Sequence, residues 1–138
     1  MRSAQHSLQV KTAGQGLYEI TADVAQWVAQ QTMRSALLTI FLRHTSASLV
    51  IQENAAADVR ADLEDFFRAL APEDARRYRH QDEGPDDMPA HIRTILTQNS
   101  LCIPISESDC DLGTWQGVFV WEHRAQQHRR RITVSVVG

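Results

Sequence analysis

Three of the six histidines stand where predicted elements end, and their imidazoles could act together on one ligand. His44 continues the aliphatic row of a strand at the point where polar residues begin. His91 lies in the first turn of a predicted helix, whose dipole disfavours a positive charge and so favours the neutral imidazole. His123 ends a predicted strand and shares its face with two aromatic side chains.

Neutral imidazoles suit Zn²⁺, Ni²⁺, Cu²⁺ or Fe²⁺ better than Mg²⁺, and three protein ligands with one open position are typical of catalytic zinc. We therefore predict a divalent metal bound by His44, His91 and His123, for which zinc is a better fit than magnesium. Because no local spacing rule connects histidines so far apart in the chain, hydrogen-bonded core or surface histidines are the alternative interpretation.

An acidic segment, residues 80–87, precedes the helix that carries His91. Its four carboxylates could bind a cation, transfer protons or orient an imidazole. A solvated loop with a helix cap at Asp86 or Asp87 is the simpler alternative. The carboxylates that we predict to transfer protons are Glu53, Glu83 and Glu122.

The pentad Gly113–Gly117 places an aromatic ring and an amide between two glycines. A flat heterocycle could stack on Trp115 while Gln116 binds its edge. A tight turn or bulge with Trp115 in the core explains the glycines equally well. The run 44–46 offers hydroxyls beside an imidazole, but no GxSxG elbow surrounds it, so nucleophilic catalysis is not expected.

The hydrophobic pattern predicts the strands that must position these groups. Alternating residues predict short strands over His6–Val10 and Leu17–Ile20, joined as a hairpin around two glycines. Ala36–Leu42 is almost uniformly apolar, which predicts a central strand covered on both faces. The last third of the chain is expected to form an antiparallel run of three strands, over Leu101–Ile105, Gly117–Glu122 and Ile132–Val136.

Three helices follow from their caps and from apolar residues at helical spacing. Thr21 is the predicted cap of the first helix and Asn54 that of the second, while Pro89 opens the third. The apolar faces expected to point inward are Val24, Trp27 and Val28, then Val59, Leu63, Phe66, Phe67 and Leu70, and finally Ile92, Ile95 and Leu96, with Arg60, Asp62 and Glu64 facing out. These elements predict a single α+β domain over residues 1–138, with three helices packed against a mixed or antiparallel sheet.

The composition is that of an ordinary globular chain, 43% hydrophobic and 22% charged over 138 residues. A net charge of -3 offers no basic stripe for a nucleic-acid backbone, so nucleic-acid binding is not expected. No run approaches the roughly 20 apolar residues of a membrane helix, and Met1–Lys11 alternates polar and apolar residues instead of carrying the hydrophobic block of a signal peptide, so we expect no membrane association and a cytoplasmic location. Cys102 and Cys110 lack the spacing of a metal or redox pair and are expected to be reduced there.

Four blocks taken together resemble successive signatures of the YjbQ family, described as secondary thiamine-phosphate synthases. The blocks are HTSASLVIQENA (44–55), EGPDDMPAHI (83–92), LGTWQGVFVWEHR (112–124) and the closing β-strand, and the likeness covers roughly residues 5–137. The resemblance implies a compact α+β subunit, commonly a homotrimer. The family's recurring polar positions correspond here to His44, Glu53, Asn54, Asp58, His80, Glu83, His91, Trp115, Gln116, Glu122 and His123.

The resemblance implies a reaction that joins hydroxymethylpyrimidine diphosphate to thiazole phosphate, with diphosphate expelled, to give thiamine phosphate. The residues we predict to bind these small phosphorylated substrates are Ser46, Asn54, Trp115, Gln116 and Arg124. Departure of diphosphate is normally assisted by Mg²⁺, whereas imidazoles prefer a softer ion, so a metal-dependent hydrolase or lyase of a small phosphorylated metabolite is a second hypothesis. A non-catalytic trimer that binds a ligand or a metal is a third.

Overall fold

Two antiparallel β-sheets carry the fold in the computed structural model, which describes residues 1–138. The strands are β1 (Ser3–Ala13), β2 (Gly16–Glu19), β3 (Ser35–Leu42), β4 (Ala47–Glu53), β5 (Ser100–Ser106), β6 (Asp109–Cys110), β7 (Gln116–Glu122) and β8 (Gln127–Val137). The helices are α1 (Thr21–Gln30), α2 (Ala57–Leu70) and α3 (Asp87–Leu96), with a 3-10 turn at Ala75–Arg77. The predicted α+β class with three helices is confirmed.

The larger sheet has the order β1-β8-β3-β5-β6 and the smaller one the order β2-β7-β4. The hydrophobic core contains alternate residues from both sheets, such as Leu38 and Ile40 of β3 and Val118 and Val120 of β7. Because side chains alternate along a strand, the residues between these point to the opposite faces of the sheets. The buried rows therefore pack the two sheets together.

β3 is central in its sheet, as predicted, but within the chain only one of its faces is covered. Leu38 is fully buried, whereas Leu37 is 50% exposed and Phe41 44% exposed. The strand covered on both faces is β7, whose Phe119 is as buried as Val118. Uniform apolarity does not distinguish a doubly covered strand from one whose second face is left open by its own chain, so the sequence prediction for β3 does not hold within one chain.

The first two strands do not form the predicted hairpin. β1 pairs with β8 in the larger sheet, and β2 pairs with β7 in the smaller sheet. Gly14 and Gly16 adopt φ values of 117° and 151°, and the chain uses this freedom to pass from one sheet to the other. The hydroxyl of Tyr18 fixes the crossing by donating to the Gly14 carbonyl at 2.8 Å.

The predicted strands of the last third are present, but they do not pair with one another. β5 lies beside β3 and β6, β7 beside β2 and β4, and β8 beside β1 and β3. Strands that follow one another in the chain pair only when the connection between them is short and both lie in one sheet. Here each connection changes sheet, so the predicted antiparallel run is wrong in its pairing.

Two of the predicted helix caps are replaced by other contacts. Thr21 is the first residue of α1; its hydroxyl donates to the Glu19 carboxylate at 2.8 Å and accepts from the Val118 N–H at 2.9 Å. α2 begins three residues after Asn54, whose side chain donates to Glu19 at 3.2 Å. The N–H groups of residues 55 and 56 are bound instead by the carboxylate of Glu53, at 3.1 and 2.9 Å.

The helices bury less of their apolar stripes than predicted. Phe66 is 61% exposed and Ile95 81% exposed, so both point away from the core, as do Leu70 and Leu96. The buried residues of α3 are Asp87, Pro89, Ala90, Arg93 and Thr94. None of the helices combines the length and the hydropathy needed to cross a bilayer.

α2 packs on the outer face of the smaller sheet. The rings of Phe67 and Trp121 meet edge to face with centroids 4.8 Å apart. The indole N–H of Trp121 donates to Glu64, and the Arg60 guanidinium lies 5.8 Å from the ring of Phe119. Glu64 and Arg60 therefore face the sheet and not solvent, contrary to the prediction, and α2 buries the outer face of β7.

Candidate metal centre and the adjoining cleft

The first turns of α3 and the loop before it bring two imidazoles onto one carboxylate. Asp87 and His91 are four residues apart in the helix, so they share a face. Oδ2 of Asp87 lies 3.0 Å from Nε2 of His91 and 2.8 Å from Nε2 of His80, which comes from the preceding loop. One ligand atom from each residue lies within 4.8 Å of the other two, close enough for all three to bind one ion.

Asp87 is held in place from its other oxygen. The Arg124 guanidinium donates to Oδ1 of Asp87 at 2.8 Å, to Oδ2 of Asp86 at 2.9 Å and to the Glu83 carbonyl at 2.8 Å. Burial alone would raise the pKa of Asp87, but the hydrogen bond from His80 and the charges of His91 and Arg124 hold it below its usual value. Asp87 is therefore an ionised carboxylate at neutral pH, although its side chain is only 2% exposed.

The hydrogen bond made by Nδ1 of His91 determines whether Nε2 carries a proton or a lone pair. Nδ1 lies 2.8 Å from the carbonyl oxygen of Thr45, which can only accept, so Nδ1 carries a proton. Nε2 of a neutral His91 would then direct a lone pair at the ionised oxygen of Asp87, which is unfavourable at 3.0 Å. Either a second proton on the ring or a cation between the two atoms removes this conflict. A histidine that donates its other N–H to a backbone carbonyl is typical of metal ligation.

Two imidazoles and one carboxylate are a ligand set for Zn²⁺ or Fe²⁺ that leaves coordination positions open. The side chain of His80 is 43% exposed and that of His91 is 31% exposed, whereas Asp87 is buried beneath them. An ion bound by all three would therefore have the protein on one side and solvent on the other. The arrangement can hold a cation that also contacts a small molecule.

The three imidazoles of the sequence prediction are not gathered around one ion. His123 is 1% exposed, and its Nε2 lies 2.9 Å from the hydroxyl of Ser48. Burial, reinforced by the nearby charge of Arg93, lowers the pKa of His123 to about 3, so the ring is neutral and is buried beside Trp121. The prediction is corrected accordingly: among its three histidines, His91 alone belongs to the cluster that can hold a metal.

His44 makes a different contact from the one expected. Its Nε2 accepts a hydrogen bond from the backbone N–H of Arg131 at 2.8 Å, so this nitrogen is not free for a metal. Burial, followed by the charge of Arg130, lowers the pKa of His44. Its ring nevertheless lines the same cleft as His91.

Two of the three carboxylates expected to transfer protons have structural contacts. Glu122 is fully buried and bound by the Arg130 guanidinium, which also donates to the hydroxyl of Ser46 at 3.0 Å. Glu53 binds the N-terminal N–H groups before α2. Glu83 remains exposed, in the same loop as His80. Only Glu83 is therefore placed near the cluster with a side chain open to solvent.

The remaining predicted residues lie at the other end of β7. Trp115 directly precedes this strand, and Gln116 is its first residue and pairs with Glu53 across the smaller sheet. The two ends of β7 are roughly 20 Å apart at about 3.3 Å per residue. Trp115 is 64% exposed, and Oε1 of Gln116 accepts from the N–H of Gly113 at 2.7 Å. The group around Trp115, which includes Asn54, therefore cannot share a small ligand with Arg124 in one chain.

Gly117 is required at this end because of its neighbours. A Cβ there would lie 2.7 Å from Oε2 of Glu19 and 2.9 Å from Cβ of Asn54. The glycine therefore serves a close approach between β7 and the residues beside it, and not the binding of a ligand.

A cleft of about 750 Å³ opens beside the cluster, between α3 and the ends of the neighbouring strands. It is lined by His44, Thr45, His91, Thr94, Ile95, Thr97, Gln98, Asn99 and Ser100. The polar run 98–100 was not predicted to belong to the site. Its position just after an amphipathic helix could have indicated it. From the sequence, Asp87 was one of four carboxylates that could bind a cation; its spacing from His91, which places both on one helical face, could have singled it out.

Comparison with known proteins identifies the family. The family model described as UPF0047 protein YjbQ-like matches residues 6–138. The chain is 51% identical to the UPF0047 protein sll1880 of Synechocystis, covering 99% of the chain and 93% of that relative, and 36% identical to the UPF0047 protein YjbQ of Escherichia coli O157:H7, covering 97% of each. A crystal structure of a conserved yjbq/upf0047 protein from Clostridium acetobutylicum superposes with a TM-score of 0.85 at 28% identity, covering 97% of this chain and 99% of that one. The chain therefore belongs to the YjbQ (UPF0047) family.

Proposed function

We propose that the protein is a metal-dependent enzyme that acts on a small phosphorylated substrate, with a divalent metal held by His80, Asp87 and His91. The observation that carries this proposal is the contact of one ionised carboxylate oxygen with two imidazole nitrogens, at 2.8 and 3.0 Å. The hydrogen bond from His91 to Thr45 supports it, because it leaves the other ring nitrogen facing the carboxylate.

The ligand set favours a hydrolase or lyase over other reaction types. A bound Zn²⁺ or Fe²⁺ would supply a Lewis acid for a phosphoryl or carbonyl oxygen and would lower the pKa of a bound water. Arg124 positions Asp87 and neutralises Asp86, so the carboxylate can face the cation without moving. Glu83 lies in this loop between His80 and Asp87, its side chain is exposed and its backbone carbonyl accepts from Arg124, so we assign the proton transfer to it.

Thiamine-phosphate synthesis is the second candidate, and it rests on the family resemblance. The roles expected for Trp115 and Arg124 in that reaction would need both residues at one ligand, whereas they stand at opposite ends of β7. Arg124 is also engaged by two carboxylates, which leaves it few donors for diphosphate. A site that combines the two groups would need a second copy of the chain.

The homotrimer implied by the resemblance belongs to the same proposal. Its support is the set of large apolar side chains left open on one chain, among them Leu37, Phe66 and Ile95. Light scattering of the purified protein measures the number of copies directly. The cytoplasmic location is likewise proposed; Cys102 and Cys110 form no disulfide, which is compatible with a reducing compartment.

The test is purification without chelator, elemental analysis, and single-turnover assays on the same sample. We expect about one equivalent of metal per chain and release of phosphate or diphosphate from a phosphorylated substrate, with both lost in Asp87→Asn. Incubation with hydroxymethylpyrimidine diphosphate and thiazole phosphate separates the second candidate, since only it yields thiamine phosphate. Turnover that persists in Asp87→Asn would overturn the proposal. A ligand that raises the Tm without being converted would favour a binding protein.

A further inference from the structure

The cleft beside the metal cluster has a lining suited to anions. It contains no aspartate or glutamate, and Ile95 is its one hydrophobic residue. Anions are bound in proteins by convergent N–H and O–H donors in places that carboxylates do not share. A cavity of about 750 Å³ with this lining is large enough for a small metabolite.

His44 presents one particular donor to this cleft. Its Nε2 accepts the backbone N–H of Arg131 at 2.8 Å, so a neutral ring must carry its proton on Nδ1. Nδ1 makes no hydrogen bond within the chain. Burial and the charges of Arg130 and Arg131, opposed by Glu122, lower the pKa of His44 and keep the ring in this neutral form. The backbone contact therefore fixes both the orientation of the ring and its tautomer.

The backbone of the polar run 98–100, which also lines the cleft, is held in place by two hydrogen bonds. The carbonyl of Gln98 accepts from the N–H of Leu49 at 2.7 Å, and the carbonyl of Asn99 accepts from the N–H of Leu42 at 2.8 Å. These two bonds tie the run to both sheets. The side chains of Gln98, Asn99 and Ser100 make no hydrogen bond within the chain, so their donors are free for a ligand. Because the backbone of the run is already fixed, a ligand has to order only these side chains.

We propose that this cleft binds the phosphoryl group of a small substrate, with the Nδ1–H of His44 as a fixed neutral donor and the side chains of Gln98 and Asn99 as further donors. The proposal rests on the proposed function only for the metal that would act next to the cleft. His91 borders both the cleft and the metal cluster, so a phosphoryl group bound here would lie beside the cation. His44 is in this account a substrate-binding residue and not a metal ligand.

Two substitutions of His44 separate its two nitrogens. A glutamine amide reaches the position of Nε2 and can accept from Arg131, but it supplies no donor at Nδ1. An asparagine amide reaches the position of Nδ1 and supplies that donor, but it leaves the N–H of Arg131 without its acceptor. His44→Gln is therefore the variant expected to fold normally and bind anions poorly, and His44→Asn is its matched control.

The experiment is a titration with inorganic phosphate, with and without added zinc. It is monitored by NMR of protein whose histidines are labelled with 15N. We expect the wild-type spectrum to show His44 as the Nδ1–H tautomer and its signals to shift with phosphate. The Kd for phosphate should rise about tenfold or more in His44→Gln and change less in His44→Asn, as loss of one hydrogen bond to a charged group predicts.

An Nε2–H tautomer in the wild type, or unchanged phosphate affinity in His44→Gln, would overturn the inference; the tautomer alone decides the matter if a variant fails to fold. Elemental analysis of the same samples separates this result from the metal proposal. If the protein retains metal but binds phosphate independently of His44, only the proposal for the cleft is contradicted. If phosphate binding depends on His44 but the protein does not retain zinc, only the proposed metal site is contradicted.

Discussion

Substitution of Glu122 tests whether this carboxylate has a structural or a catalytic role. It is fully buried, and it is bound by Nε of Arg130 at 2.8 Å, by the hydroxyl of Thr12 at 2.5 Å and by the N–H of Arg124 at 3.2 Å. Arg130 is itself 3% exposed. Glu122→Gln keeps the volume of the side chain but leaves the guanidinium buried without its counter-charge.

The size of the effect follows from that loss. Removing one partner of a buried ion pair costs roughly 3 to 5 kcal/mol. An unfolding entropy of about 2.1 cal/mol/K per residue gives roughly 0.3 kcal/mol/K for a chain of 138 residues. The Tm of Glu122→Gln should therefore lie about 10 to 17 °C below that of the wild type.

Differential scanning calorimetry at several pH values tests this reasoning. Burial alone raises the pKa of Glu122, but hydrogen bonds from Arg130 and Thr12 bring it below its usual value. A carboxylate with a lowered pKa stabilises the fold above its unfolded pKa and loses that contribution as pH falls through the folded value. The difference in Tm between wild type and variant should therefore be largest near pH 7 and should decrease below about pH 4.

Glu107→Gln is the control, because its ion pair with Arg34 is largely exposed and should contribute no more than about 1 kcal/mol. A Glu122→Gln variant with wild-type Tm and abolished turnover would refute the structural assignment. It would return Glu122 to the catalytic role that the sequence indicated.

Further predictions concern three other positions. His123→Gln should keep its bound metal but lose the pH dependence of stability that the buried neutral ring causes. Because the pKa of His123 is about 3 in the folded protein, the wild type should lose up to about 1.4 kcal/mol of stability per pH unit as pH falls from about 6 towards 3. Urea unfolding at several pH values measures this loss. Trp115→Ala should change the free energy of unfolding by no more than about 0.5 kcal/mol and leave the metal in place, because the ring is exposed; a large loss would mean that the ring is buried by another copy. Gly117→Ala should lower stability by about 1 to 3 kcal/mol through the close contact with Glu19 and Asn54, and an unchanged Tm would show that this end of β7 relaxes freely.

Much of the fold could be predicted because local patterns determine it. Val24, Trp27 and Val28 are buried on α1, and the strand over 36–42 is central. Pairing could not be predicted in the same way. Gly14 and Gly16 allow a tight hairpin and a crossing between sheets equally, and only the tertiary partners of β1 and β2 decide between them.

In the site, too, residues set by local patterns could be predicted and residues set by tertiary contacts could not. His91 was predicted from its place at the start of α3, and the residues that complete the cluster are its neighbours in the acidic segment. His123 was misassigned because a strand end looks open until tertiary contacts bury it; here Trp121 lies beside it, with ring centroids 5.2 Å apart, and Phe67 of α2 packs on Trp121. The commitment of Arg124 to Asp86 and Asp87 is likewise a tertiary contact between distant parts of the chain, without a spacing rule to reveal it.

Anomalous diffraction from crystals of chelator-free protein, soaked in zinc and measured at the zinc edge, would locate the ion itself. We expect one strong peak about 2.0 to 2.2 Å from Nε2 of His80, Nε2 of His91 and Oδ2 of Asp87, absent from crystals of His91→Ala and present in those of His44→Gln. A peak bound by His44 or His123, or no peak at Asp87 with the imidazoles in place, would contradict this expectation.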